Sequence, residues 1–151
     1  YSIVEFHPYG YDERQFCSPG FNLPIGCLMR SPNGRFPEYH TSADSLSFVQ
    51  PEHLADSFSK CLSILYILEN NRTYLNKNPK CEPQLGKRGL YKAIGGDGEG
   101  GTDTLALLWV LNLSDGKHNL LEIAEKSSLN FVAIRNCAEA LCRADLLQPL
   151  A

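Results

Sequence analysis

The sequence predicts a mixed α/β chain that ends in a small helix-turn-helix of winged type. Three observations carry this. Two short apolar, β-favouring runs lie at residues 1–6 and 23–29. A helical period follows from Pro51 to about Asn70. Beyond a Gly-rich stretch, three shorter helical periods are separated by tight polar turns and followed by a Leu-Leu pair.

Ile3, Val4 and Phe6 mark the first strand, and residues 7–20 are irregular, broken by Pro8, Gly10, Pro19 and Gly20. The run at 23–29 has the length and apolarity of a strand buried on both faces. A turn at 31–34 and a polar loop at 35–47 lead to Pro51 and Glu52, which suit the first turn of a helix. Leu54, Phe58, Cys61, Leu62, Leu65 and Leu68 recur at three- and four-residue spacing and predict a core-facing stripe.

Residues 72–101 give no period. With Pro79, Pro83, Gly86, Gly89 and five glycines in the seven residues from Gly95, they read as an irregular Gly-rich linker. No GxxxxGK[ST] pattern accompanies the glycines, so a phosphate-cradling loop is not predicted.

Residues 102–151 read as the winged helix-turn-helix. Thr102 is the expected cap of a first helix, with Leu105, Leu108 and Leu111 on one face and Trp109 beside them. A turn at 114–117 precedes a second helix at about 120–126, with Leu120, Ile123 and Ala124 inward. Ser127-Ser128 connects it to a third helix capped by Asn130, whose apolar positions are Val132, Ile134, Cys137, Ala138 and Leu141. Asp145-Leu146-Leu147 starts a short extended segment.

At 151 residues, 43% hydrophobic and 21% charged, the chain is neither disordered nor low in complexity. Its apolar runs, the longest at 105–111, fall far short of the roughly 20 residues that cross a bilayer, so no membrane partner is expected. No signal-peptide pattern opens the chain, and a start at Tyr1 suggests a piece of a longer protein. The net charge of −3 is unevenly divided. Residues 1–71 hold four bases and eight acids, residues 72–101 six and three, residues 102–151 four and six. An acidic helix-turn-helix neutralises few phosphates, which disfavours nucleic acid as a partner and favours a packing or protein-interaction module. The six cysteines form no Cys-x-x-Cys; Cys61 and Cys137 fall on helical apolar faces, as reduced buried thiols of a cytoplasmic protein would.

The segment richest in chemistry is Pro37-Glu38-Tyr39-His40-Thr41-Ser42-Ala43-Asp44-Ser45-Leu46. It holds an imidazole that can ligate a metal and, four residues on, a carboxylate that can orient it or simply hold the loop. A lone histidine in a polar loop is more often an ordinary surface residue. Upstream, Tyr9, Tyr11, Asp12, Glu13 and Arg14 gather two phenols, two carboxylates and a guanidinium within six residues. A phenol here can donate to a developing oxyanion or pack as an aromatic, and Arg14 can pair with Glu13 or with a substrate carboxylate.

Tyr-His-Thr-x-x-Asp-x-Leu ahead of a long helix resembles the closing motif of the zinc-dependent aminopeptidases of the aminopeptidase Y and bacterial leucyl aminopeptidase type. Asp12-Glu13-Arg14-Gln15-Phe16-Cys17-Ser18-Pro19-Gly20 together with Glu38-Tyr39-His40-Thr41-Ser42 is similar to a bacterial subgroup of aminopeptidase-like proteins. That subgroup carries a C-terminal winged helix and often accompanies polysaccharide biosynthesis. The resemblance implies that residues 1–71 close a three-layer αβα sheet domain. It implies His40 as a metal ligand, Asp44 as a residue behind that ligand, and Asp12 with Tyr11 in the active-site loop. Glu13, Arg14 and Tyr9 then fall on the substrate rim. It departs from the family's Ser-Asp-His at Glu13.

The resemblance further implies one or two zinc ions in the complete protein, metal-assisted hydrolysis of an N-terminal peptide bond or a related amide, and a peptide or amino-modified small molecule as substrate. This chain supplies one matching ligand, so the other ligands and the base are expected from an N-terminal part of the same protein. Unpaired strand edges in residues 1–71 lead us to expect pairing with another chain, a second copy included. The alternatives are a non-catalytic scaffold on a degenerate peptidase fold and, third, a DNA-binding regulator.

Overall fold

The structure is a computed structural model describing residues 1–8, 10–90 and 104–150. The chain divides into two units, Tyr1–Phe58 and Ser59–Ala151.

The first unit holds one short helix, α1 (Asp12–Phe16), and the start of α2 (Pro51–Asn70). No described residue in it is buried. Neither predicted strand forms: residues 1–6 and 23–29 take no β-structure, and Ile3 and Val4 are 86% and 79% exposed. A strand exists only as a rung of a ladder, and no described backbone lies alongside these runs to complete one. Residues 23–25 are instead tied to α1, with Leu23 N–H donating to Phe16 O at 2.9 Å and the Cys17 thiol to Leu23 O at 3.1 Å. Arg30 pairs with Asp56 at 2.5 Å, and Phe36 packs against both Tyr39 and Phe48.

The second unit has the core. Its sheet runs β2-β1-β3, fully antiparallel, with β1 (Thr73–Asn76) between β2 (Asp115–Asn119) and β3 (Leu147–Pro149). Thr73, Tyr74 and Leu75 are strand formers, and Tyr74 is buried. Thus part of the predicted linker is the middle strand of the sheet. The same stretch adds a 3₁₀ turn, Gly86–Arg88, and the fully buried Leu85. A four-residue strand has no period of its own, and its two partners lie some 40 and 70 residues downstream, which is why local pattern does not reveal it.

Helices α3 (Thr104–Leu113), α4 (Leu120–Ser127) and α5 (Phe131–Arg143) pack over the sheet. In α3 the buried residues are Ala106, Leu107, Val110 and Leu111, while Leu105 is exposed and Leu108 half-buried. The predicted face is rotated because this helix is apolar all round, so its pattern selects no side. The predicted turn at 114–117 is the start of β2, with Gly116 in the left-handed region at φ +81°. Asn119 caps α4 in a reciprocal capping box with Glu122, and the Asn130 side chain accepts from Val132 N–H at 2.8 Å. Ser128, at φ +56°, closes α4 and opens the turn into α5.

From Ser59 onward α2 lays Tyr66 and Ile67 against this core. Leu62, Leu65 and Leu68 of the predicted stripe are 50–69% exposed, and Cys61 is exposed as well. Periodicity located the apolar face; the contact is made by the side of the helix that meets the sheet unit. Cys137 is buried, as expected.

Candidate functional site

Asp12 and Glu13 occupy the first turn of α1, where carboxylates suit the positive helix end. Asp12 is exposed, and the Tyr11 ring is 75% exposed with the Arg14 guanidinium 5.8 Å from its centroid. Glu13 hydrogen-bonds the side chain of the exposed Cys27; desolvation, then this carboxylate, push the Cys27 thiol pKa up. The Glu13 carboxylate folds back to within 2.1 Å of where a Cβ at Gly10 would stand, so a larger residue there would make that side chain move. The partners seen for Glu13 and Arg14 are therefore Cys27 and Tyr11. Tyr9 lies outside the described residues.

His40 sits in a hydrogen-bonded turn. Thr41 Oγ1 donates to Glu38 O at 2.8 Å and accepts from Ala43 N–H, while Asp44 N–H donates to Thr41 O at 3.2 Å. His40 takes the left-handed conformation at φ +57° and presents an exposed ring, edge-on to Tyr39 with centroids 4.2 Å apart. A non-glycine residue there is uncommon, and it is held by the turn around it. Among the described residues His40 and Asp44 make no hydrogen bond to each other, and no three His, Cys, Asp or Glu side chains gather into a metal-holding group. One imidazole does not hold a zinc ion, which takes three or four protein ligands. The described residues alone do not fit the metal.

In the second unit, two of the helix-turn-helix bases, Arg135 and Lys126, are already engaged. Arg135 on α5 donates from Nη1 to Tyr66 Oη at 3.1 Å, pairs with Glu139 at 2.5 Å and lies 5.7 Å from the centre of the Tyr66 ring. Tyr66 in turn meets Phe131 edge-on at 6.3 Å. Lys126 Nζ is 2.8 Å from His118 Nε2, and His118 Nδ1 is 3.1 Å from both Asp115 oxygens. With Nε2 accepting from the ammonium, Nδ1 carries the proton and donates to the carboxylate. The backbone N–H groups of Lys117 and His118 also donate to Asp115, and they are the main cause of its lowered pKa. Sequence reading missed this Asp115–His118–Lys126 chain; the Asp-x-x-His spacing was its only trace.

No helix among the described residues is long and apolar enough to cross a membrane. A family described as a domain of unknown function (DUF4910) matches residues 1–71, and a winged helix-turn-helix family matches residues 72–149. The chain is 56% identical over 148 residues, 98% of its length, to a Clostridium acetobutylicum protein named "Putative polysaccharide biosynthesis protein with aminopeptidase-like domain". It also matches the crystal structure of a "putative peptidase" from the same organism, with 53% identity, a TM-score of 0.82 and 96% of this chain covered. The chain spans about a third of each, 34% and 31% respectively.

Proposed function

The chain belongs, through residues 72–149, to the winged helix-turn-helix family, and from that premise we propose that it forms the C-terminal part of an aminopeptidase-like hydrolase whose winged helix is a packing module. The reaction in this reading is hydrolysis of an N-terminal peptide bond, or of a related amide on an amino-modified small molecule. The observation that carries it is 56% identity, across 98% of the chain, to a protein named for its aminopeptidase-like domain and for polysaccharide biosynthesis. Residues 1–71 would close a three-layer αβα domain, with the exposed apolar side chains of residues 1–29 buried by the strands beside them. Six free thiols support a reducing, cytoplasmic setting.

In this reading His40 contributes one imidazole donor to a zinc site whose remaining ligands come from outside these residues, and Asp44 steadies the loop behind it. Asp12 and Tyr11 face the substrate from the start of α1, with Glu13 and Arg14 on its rim. Tyr11 brings an exposed phenol that can donate a hydrogen bond to an oxyanion.

Specific observations favour packing over DNA reading in the winged helix. Arg135 is held by Tyr66 and Glu139, and Lys126 is held by His118. The central strand of the sheet comes from ahead of the three helices. The test is release of 4-nitroaniline from leucyl-4-nitroanilide by the complete polypeptide, alongside its zinc content. His40→Ala should lower both by at least about tenfold with circular dichroism unchanged. Unchanged zinc and rate would remove His40 from the site, and salt-sensitive DNA retardation would overturn the packing role.

A further inference from the structure

The Asp115–His118–Lys126 chain of the second unit has the parts of an activated nucleophile. Lys126 Nζ stands 2.8 Å from His118 Nε2, and His118 Nδ1 stands 3.1 Å from both Asp115 oxygens. Nucleophile, base and orienting carboxylate thus follow one another at hydrogen-bond reach, the arrangement that primes a side chain for attack.

Regular backbone fixes all three members. Asp115 and His118 belong to β2, and Lys126 to the last turn of α4, which begins at Leu120 directly after that strand. The backbone N–H groups of Lys117 and His118 clamp the Asp115 carboxylate at 2.9 and 3.1 Å. Glu122, one turn ahead of Lys126, directs its carboxylate to Asn119 N–H at 2.8 Å, so the capping box occupies the acid best spaced to pair with the ammonium. Lys126 is exposed, while the His118 side chain is 26% exposed. A small reagent can reach the amine, and the imidazole behind it is partly shielded.

A lysine in water at neutral pH is almost wholly ammonium and has no lone pair for attack. Here the ammonium and a neutral imidazole share a proton. Its passage to Nε2 leaves a neutral amine, and the imidazolium so formed lies against the Asp115 carboxylate, which favours that state. We propose that Lys126 is an acyl-acceptor lysine, modified by small activated acyl compounds (acyl phosphates or acyl thioesters) with His118 as the base and Asp115 as a positioning residue. The proton passes from Nζ to Nε2, and the freed lone pair attacks the acyl carbon. The C–N bond forms as the bond to the phosphate oxygen or thiolate sulfur breaks, and that group leaves with the electron pair. The nitrogen's second proton goes to the leaving group, and His118 returns its own to water. The product is a neutral amide, and α4 loses a cation from its last turn, where positive charge favours the helix.

The probes are acetyl phosphate and acetyl-coenzyme A, added separately to the 151-residue chain, with acetylation rates read lysine by lysine from peptide masses. The exposed Lys80 and Lys87 are the references. At about pH 7 Lys126 should react about tenfold or more faster than either, a fraction of what a positioned base can contribute. That ratio should fall as pH is raised toward about 10, because free amine then becomes available at every lysine, whereas a difference of access alone would keep it constant. His118→Gln, which keeps a polar side chain without a base, should bring Lys126 to within about twofold of the references. Asp115→Asn should lower the Lys126 rate about threefold or more, rates being compared below each variant's melting transition. Should either variant fail to fold, the pH dependence of the ratio decides alone. An advantage with one donor only assigns the donor class. A Lys126 no faster than the references with both donors, a ratio that does not change with pH, or an unchanged rate in His118→Gln would overturn the relay. None of these readouts depends on peptidase turnover.

Discussion

Tyr66 Oη accepts a hydrogen bond from Arg135 Nη1 at 3.1 Å while the same guanidinium lies 5.7 Å from the centre of the Tyr66 ring. One side chain of α2 thus occupies the principal cation of α5, with Glu139 completing its neutralisation. Tyr66→Phe should cost about 1 kcal/mol by urea denaturation, the size of one lost hydrogen bond. A double-mutant cycle with Arg135→Met should show positive coupling. Strictly additive effects would mean that the two residues stabilise the unit separately.

Leu85 separates a linker from a structural segment. It is fully buried between β1 and α3 in sequence. Leu85→Ala should cost about 2–5 kcal/mol in chemical denaturation, as for other core leucines. A change within about 0.5 kcal/mol, the surface norm, would return residues 72–90 to linker status.

The capping box at the start of α4 gives a graded pair. Asn119→Ala should destabilise the unit by about 1 kcal/mol. Glu122→Ala, which removes only the reciprocal bond to Asn119 N–H at 2.8 Å, should cost less. The reverse ranking in thermal melts would show that the glutamate, not the asparagine, holds the turn.

Acid should weaken the second unit partly through Asp115. Backbone hydrogen bonds hold its folded pKa below the unfolded carboxyl value of about 3.9. Folding therefore favours the ionised form: the stabilisation is complete above about pH 4 and fades as pH falls through the folded value. Asp115→Asn should be less stable than the parent at pH 6, and the gap should narrow steadily as pH falls below about 4. A constant gap in denaturation midpoints would trace the effect to hydrogen bonding without charge.

The helices of the second unit were legible because each has its own period and its own stop and start. Asn130 followed by Phe131 and Ile134 announces α5 locally. β1 was not legible, since Thr73–Asn76 becomes a strand only through Asn119 and Leu147, far along the chain. In the first unit the apolar runs at 1–6 and 23–29 are real features of the sequence, but a run becomes a strand only beside another strand. The α2 stripe shows the same limit: spacing defines a face and leaves its cover unspecified. For the candidate sites, His40 and Asp12 could be singled out from motif and residue type. Lys126 could not, because it meets His118 only once β2 and α4 have folded.

β1 begins three residues after α2 ends, and the junction is clasped by Leu120 N–H on Arg72 O at 3.0 Å and Leu121 N–H on the Asn71 side chain at 3.0 Å. Tension along α2 would therefore enter the sheet through its middle strand and load both ladders at once, in shear. The winged helix is spliced into the chain it follows, and a cut at the Gly-rich stretch would leave β2 and β3 as two edges with no centre.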